Sequence, residues 1–149
     1  MEKALLGKTG FMVSRVTYGG IVSMNETQKD SDKYVSMVVD AGVNYFDVAP
    51  SYGDAQERLG PSLEPYRKNV YLACKTQIRD AKGAKAELLK SLEVLRTDYF
   101  DVYQLHAMTT KENLEQVFAP GGAMETLVWA KREGIIRNIG ITTHSEDCV

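Results

Sequence analysis

Cysteine is scarce in this chain: Cys74 and Cys148 are the two among 149 residues. Two are too few for a disulfide framework or a cysteine metal cage. Histidine is equally scarce. His106 and His144 are the whole supply, and they do not form a pair at metal-ligand spacing, so no metal site is expected. An excess of either charge is missing too: 18 Lys and Arg stand against 20 Asp and Glu, for a net charge of −2. A balance so near zero lacks the electrostatic footprint of a nucleic-acid binder and the polybasic patch of a membrane-surface protein. No stretch approaches the roughly 18 apolar residues a membrane span needs. The opening Met1-Glu2-Lys3-Ala4-Leu5-Leu6-Gly7 is too short and polar for a signal peptide. Low-complexity tracts and tandem repeats are missing, and so are the G-x-G-x-x-G, Walker A, G-x-S-x-G and H-E-x-x-H motifs. What remains is globular usage, 44% apolar and 26% charged, at the length of one ordinary domain. These features read as a reduced, cytoplasmic protein.

What the chain does have is alternation. Lys3-Ala4-Leu5-Leu6 and Met12-Val13-Ser14 flank Gly7-Lys8-Thr9-Gly10, which reads as a hairpin. Then short β-rich runs at 16–19, 44–48, 70–75, 99–105 and 136–142 are separated by segments of helical period at 27–41, 55–63, 81–95 and 123–133. Leu88, Leu89, Leu92 and Leu95 give the third of these helices a clean apolar stripe. Strand and helix in this rhythm argue for parallel βαβ units. Polar residues collect at the C-terminal ends of the strands: Asp47, Lys75, His106, Thr142 and Thr143. In a β/α barrel that is the face where chemistry sits.

Each of these residues has an ordinary reading. A strand-end Asp caps turns, a loop Tyr such as Tyr52 packs, a strand-edge Lys snorkels, and a lone His is a satisfied structural residue. Together they read differently. The side chain of Lys75 ends an apolar run, and a buried ammonium needs an anion partner. Asp47 on the neighbouring strand is the natural candidate. A Lys beside a Tyr stabilises the phenolate and lowers the phenol below its usual value of about 10. Strand parity places Asp47, Lys75 and His106 in the mouth, along with Tyr45, Ala73 and Val102 further down, while Phe46, Cys74 and Leu105 face the helices. Lys75 and Asp47 should lie within ion-pair reach, and the Tyr52 hydroxyl within hydrogen-bond reach of one of them. Gly19-Gly20 marks a point of close backbone approach, Trp129 reads as core, and Cys148 carries no specific role.

With these residues set out, the chain resembles the aldo-keto reductases. The likeness rests on Leu6-Gly7-Lys8-Thr9-Gly10, the run from Gly42 to Gly53 (Gly-Val-Asn-Tyr-Phe-Asp-Val-Ala-Pro-Ser-Tyr-Gly), Glu57-Arg58-Leu59-Gly60, Lys75, Asp101-Val102-Tyr103-Gln104-Leu105-His106, and the run from Gly134 to Thr142. It covers the whole chain in family order. The resemblance implies an α/β fold of the (β/α)8 TIM-barrel type, truncated to an N-terminal hairpin, about four βα units and a fifth strand. A full barrel takes about 250 residues, so residues 1–149 would be an incomplete N-terminal part of one barrel domain. It implies NADPH-dependent reduction of aldehydes or ketones. Tyr52 would be the general acid, Lys75 would tune it, Asp47 would pair with Lys75, and His106 would orient the carbonyl. Gly20, Asp47, Tyr52, Thr142 and Thr143 would meet the NADP cofactor, the two threonines standing where the family reads Ser-Asn. The expected partners are a small-molecule carbonyl substrate and either a second copy or the missing C-terminal half. A non-catalytic interaction module built on the same fold is the alternative.

Overall fold

A computed structural model describes residues 1–145. It opens on an antiparallel hairpin, β1 (Lys3–Leu5) and β2 (Met12–Ser14), in the register Lys3 to Ser14. The turn between them needs left-handed backbone at Gly7 and Gly10, with φ of 50° and 80°, which glycine adopts without steric cost. Five parallel strands follow: β3 (Tyr18–Gly19), β4 (Tyr45–Asp47), β5 (Tyr71–Thr76), β6 (Phe100–Leu105) and β7 (Ile136–Ile141). They lie side by side in chain order, the arrangement that successive crossover units of one hand produce.

The crossovers are α1 (Gln28–Asp40), α2 (Ala55–Leu63), α3 (Ala81–Val94), and a pair, α4 (Lys111–Phe118) and α5 (Ala123–Arg132), between β6 and β7. Their starts follow from capping chemistry. The Thr27 hydroxyl accepts the Asp30 N–H at 3.1 Å, Asp80 accepts from Gly83 at 2.8 Å, and Thr110 from Asn113 at 3.2 Å. Helix α4 was not expected from the sequence; the segment reads there as connection. A short 3-10 stretch, Glu64–Asn69, likewise joins α2 to β5.

The core lies between the sheet and the helices. Phe46, Leu72, Cys74, Tyr103 and Leu105 face Val35, Leu59, Leu88 and Leu127, all of them buried. The helix-facing parity assigned to Phe46, Cys74 and Leu105 is the one observed. Trp129 packs on the edge of this core, with the Lys85 ammonium 3.7 Å above its ring. Cys74 is fully buried and its thiol is pushed up to about 12, chiefly by loss of water, so it stays a neutral packing group. Cys148 lies outside the described residues.

The N-terminal end of the sheet is tied by one carboxylate. Asp101, 1% exposed, receives Arg67 at 3.0 Å and Arg137 at 2.8 Å, and also the Leu72 N–H at 2.9 Å. Both guanidiniums stack on Tyr99, at 4.0 and 4.4 Å from the ring centre. Every lone-pair direction in use there is met by a donor, as a buried charge requires.

The concave face is covered: Ala73 and Val102 are 0% and 6% exposed, although the described residues supply five strands and not a closed barrel. Val102 approaches Gly140 on β7, where a Cβ would meet it at 3.3 Å. Among the described residues the sheet still has two edges, β3 and β7. Beside β3 lies an apolar cleft of about 300 Å³ lined in part by Val16, Val22, Met37 and Val43, and Val16, Val22 and Met37 are half or more exposed. Open edges beside apolar surface favour association. The 149-residue chain by itself is therefore expected to elute larger than a monomer in size exclusion with light scattering at micromolar concentration. A cooperatively folded 16.6 kDa species would refute this.

Candidate active site

The C-terminal ends of β4, β5 and β6 bring three titratable groups together. Asp47 is the last residue of β4, and Lys75 is the penultimate residue of β5. In-register parallel pairing sets Asp47 beside Ala73, so Lys75 stands one inward position higher. Its ammonium reaches back to the Asp47 Oδ2 at 2.5 Å and to the Val48 carbonyl at 3.2 Å. Lys75 is 3% exposed. An ammonium buried to that degree is tolerable only with such acceptors. The carboxylate differs from that of Asp101. Among the described residues it takes hydrogen bonds on one oxygen, and its side chain remains 27% exposed, so it can still receive a ligand.

Tyr52 arrives from the loop between β4 and α2. The Tyr52 N–H closes a turn onto the Ala49 carbonyl at 3.1 Å, and the Ala55 N–H then bonds the Tyr52 carbonyl at 3.0 Å. Asp54 fastens the same loop to its neighbour by accepting the Asn25 N–H at 2.7 Å. These bonds set the ring 5.2 Å from the Lys75 ammonium and 6.0 Å from the His106 ring, edge-on to the latter. The expected hydrogen bond from the Tyr52 hydroxyl to Lys75 or Asp47 is not present among the described residues. The ammonium is committed to Asp47 and Val48 and meets the phenol through its ring.

His106 follows β6 directly. Its N–H bonds the Thr76 carbonyl at 2.8 Å, which extends the ladder by one residue. The side chain is at the edge of burial, and Nδ1 is enclosed without a partner. Burial first, and then the positive charges of Lys75 and Arg79, hold the imidazole below its ordinary value; the Asp47 carboxylate opposes them and His144 adds to them. The group is thus a neutral imidazole near pH 7. Its proton belongs on Nε2, because a buried orphan N–H is worse than a buried lone pair.

The remaining expected residues divide. Gly20 is buried against β4, where a Cβ would come within 2.8 Å of the Val48 side chain; packing alone demands glycine there. The Thr142 hydroxyl accepts the Ala107 N–H at 3.0 Å, and the Thr143 hydroxyl is turned onto Ser145, at 3.0 Å from both its N–H and its carbonyl. One residue went unnoticed in the sequence. Arg79 follows β5, and its Nη2 donates to the His106 and Ala107 carbonyls at 2.8 and 3.1 Å. A basic residue just past a strand end that carries a candidate Lys was the available signal. Among the described residues, no group of three or more His, Cys, Asp or Glu is placed to hold a metal ion, and no helix is long and apolar enough to cross a membrane.

Comparison with known proteins matches residues 15–148 to the model of the aldo/keto reductase family. The chain belongs to that family. Among curated aldo-keto reductase relatives, the oxidoreductase YqkF of Bacillus subtilis is 31% identical over 96% of this chain and 49% of its own length. The L-galactose dehydrogenase of Arabidopsis thaliana is 30% identical over 95% and 48%. The chain thus spans about half the length of the curated relatives it matches. The holo form of an aldo-keto reductase from Bacillus halodurans superposes with a TM-score of 0.80 at 28% identity, covering 97% of this chain and 51% of that one. The α/β fold with its parallel sheet is therefore that of the aldo-keto reductase barrels, represented here by about half.

The state of His106 is open to measurement. A lowered folded-state pKa means that the unfolded chain takes up the proton first. The neutral imidazole therefore costs nothing above the unfolded value near 6.5, and stability is lost as the pH falls below it. Imidazole NMR is expected to show His106 titrating below the ordinary imidazole value of about 6.5. Thermal melts of His106→Gln should fall less steeply than wild type between about pH 7 and pH 5.

Proposed function

We propose that the protein catalyses NADPH-dependent reduction of an aldehyde or ketone carbonyl, with Tyr52 as proton donor. The observation that carries this reading is the buried Lys75 ammonium, paired with Asp47 and standing 5.2 Å from the Tyr52 ring centre, with neutral His106 edge-on to the same ring. Its relatives are named oxidoreductases, and one is named for dehydrogenating L-galactose.

The residues present suit a dinucleotide reductant. Asp47 keeps an oxygen available, and the polar groups border a mouth at the C-terminal ends of parallel strands, where α/β sheets bind ligands. The bound cofactor would supply the hydride; the protein supplies placement and electrostatics. A substrate carbonyl oxygen lodged between Tyr52 and His106 meets two donors. His106 Nε2–H orients the oxygen and shares its developing negative charge. Tyr52 then passes its hydroxyl proton to that oxygen. The Lys75 ammonium faces the charge left on the phenol, and Asp47 fixes where the ammonium stands. Self-association or pairing with a C-terminal half belongs to the same reading, since a closed barrel would complete the mouth.

The test uses the full-length protein. NADPH fluorescence titration reads cofactor binding, and NADPH consumption with 4-nitrobenzaldehyde reads turnover. Tyr52→Phe should remove most turnover, on the order of a hundredfold or more, while the NADPH Kd stays nearly unchanged. If the phenylalanine variant turns over normally, Tyr52 is not the donor. If it loses NADPH binding instead, Tyr52 is structural.

A further inference from the structure

We propose that Arg79 and Thr142 are positioning residues for His106, clamping from both sides the left-handed turn at Ala107 that ends β6. This rests on the reductase reading, because His106 matters to turnover only there.

Ala107 has φ of 53°. For an L-residue with a Cβ that conformation is strained, and it persists where the surroundings hold it. Here they hold it through four hydrogen bonds. From the β5 side, Arg79 Nη2 donates to the carbonyls of His106 at 2.8 Å and of Ala107 at 3.1 Å. From the β7 side, the Thr142 hydroxyl accepts the Ala107 N–H at 3.0 Å, and the Thr142 carbonyl accepts the Met108 N–H at 2.8 Å. The strand would otherwise run on past His106. The turn stops it there, and the peptide that follows the imidazole is fixed at both its carbonyl and its next amide.

The clamp is itself anchored. The Arg79 carbonyl accepts the Ala123 N–H at 2.7 Å, which ties it to the start of α5. Its Nη1 is enclosed with no partner, so the two Nη2 bonds to the turn are what hold the guanidinium. A lysine at this place would supply the charge but not the planar fork. Thr142 therefore has work on this chain that does not involve a nicotinamide ring: its hydroxyl oxygen is engaged by the backbone of the His106 turn. The charged and titratable groups facing His106 are Lys75 from β5, Asp47 from β4, Tyr52 from the following loop, Arg79, and His144 beyond β7.

The experiment takes the full-length protein with Thr142→Val, Thr142→Ser, Arg79→Gln and Arg79→Lys, each checked for a cooperative melt. Thr142→Val and Arg79→Gln should each lower kcat roughly tenfold to a hundredfold, with the NADPH Kd changed by less than about twofold. Thr142→Ser, which keeps the hydroxyl, should recover most of the loss; Arg79→Lys should recover less. Arg79→Gln removes a positive charge near the imidazole, so His106 followed by NMR should titrate at higher pH, and the acid limb of the kcat profile should move the same way. Unchanged kcat in both variants overturns the clamp. A raised NADPH Kd with kcat preserved at saturation makes Thr142 a cofactor ligand and also overturns it. Should wild type bind no NADPH and reduce no carbonyl, the reductase reading fails by itself. Hydrogen exchange at the Ala107 and Met108 amides then still decides the clamp, because protection unchanged in both Thr142→Val and Arg79→Gln contradicts it. Should Thr142→Val not fold, the arginine pair and Thr142→Ser carry the same decision.

Discussion

The ion pair between Lys75 and Asp47 binds the fold to the site. An ammonium that is 3% exposed is stable in one arrangement only, with its acceptors already in place. Those acceptors, the Asp47 carboxylate that ends β4 and the Val48 carbonyl just past it, belong to the neighbouring strand's end. The pair therefore acts as a register pin for β4 and β5. A slip of one residue would turn Lys75 toward the helices and into the layer of Leu72, Cys74 and Tyr103, where nothing can receive its charge. Side chains drive the pairing of parallel strands mostly through shape, which tolerates error; a buried charge does not.

The two ends of the sheet use the same chemistry to opposite effect. At the N-terminal end Asp101 is saturated: two guanidiniums and a backbone N–H converge on it, and it is out of water. Such a group holds strands together and has nothing left to offer. At the C-terminal end Asp47 is joined to one ammonium and stays partly open. The difference follows from what surrounds each carboxylate, since both are aspartates at strand positions. It separates a stabilising end from a reactive end, the division that β/α barrels show generally.

Much of this was legible from residue order. Strand alternation alone placed Asp47, Lys75 and His106 on one face and Phe46, Cys74 and Leu105 on the other, because period 2 is a property of the extended backbone. The ion pair followed from the cost of burying Lys75. Helix α4 was missed because it is only 8 residues long, and its apolar positions amount to Leu114, Val117 and Phe118. Its start signal is weak as well: Thr110 caps the N–H of Asn113, a residue that cannot complete the Glu or Gln capping box. The hydrogen-bond partners of Tyr52 and Thr142 were illegible for another reason. They are set by where three loops meet in space, and loop conformation depends on tertiary contacts that no local pattern encodes. Gly20 shows the limit from the other side. The glycine pair signals close backbone approach, but that the approaching group is the Val48 side chain is not readable from residue order.

One positive charge touches both roles in the mouth. Lys75 lies against the Tyr52 ring and is also among the charges that disfavour a second proton on His106. The same ammonium that helps burial keep the imidazole neutral stands 5.2 Å from the centre of the Tyr52 ring, over which negative charge would remain after proton transfer. A protonated imidazole would compete with Tyr52 for the role of acid; a neutral one can only lend a hydrogen bond. Arg79 strengthens this bias from behind the His106 turn, and Asp47 restrains it. The proposed chemistry therefore needs no separate device to choose its acid. The choice is made first by the enclosure of His106 and then by the charge of Lys75 beside it, whose place follows from the pairing of β4 and β5.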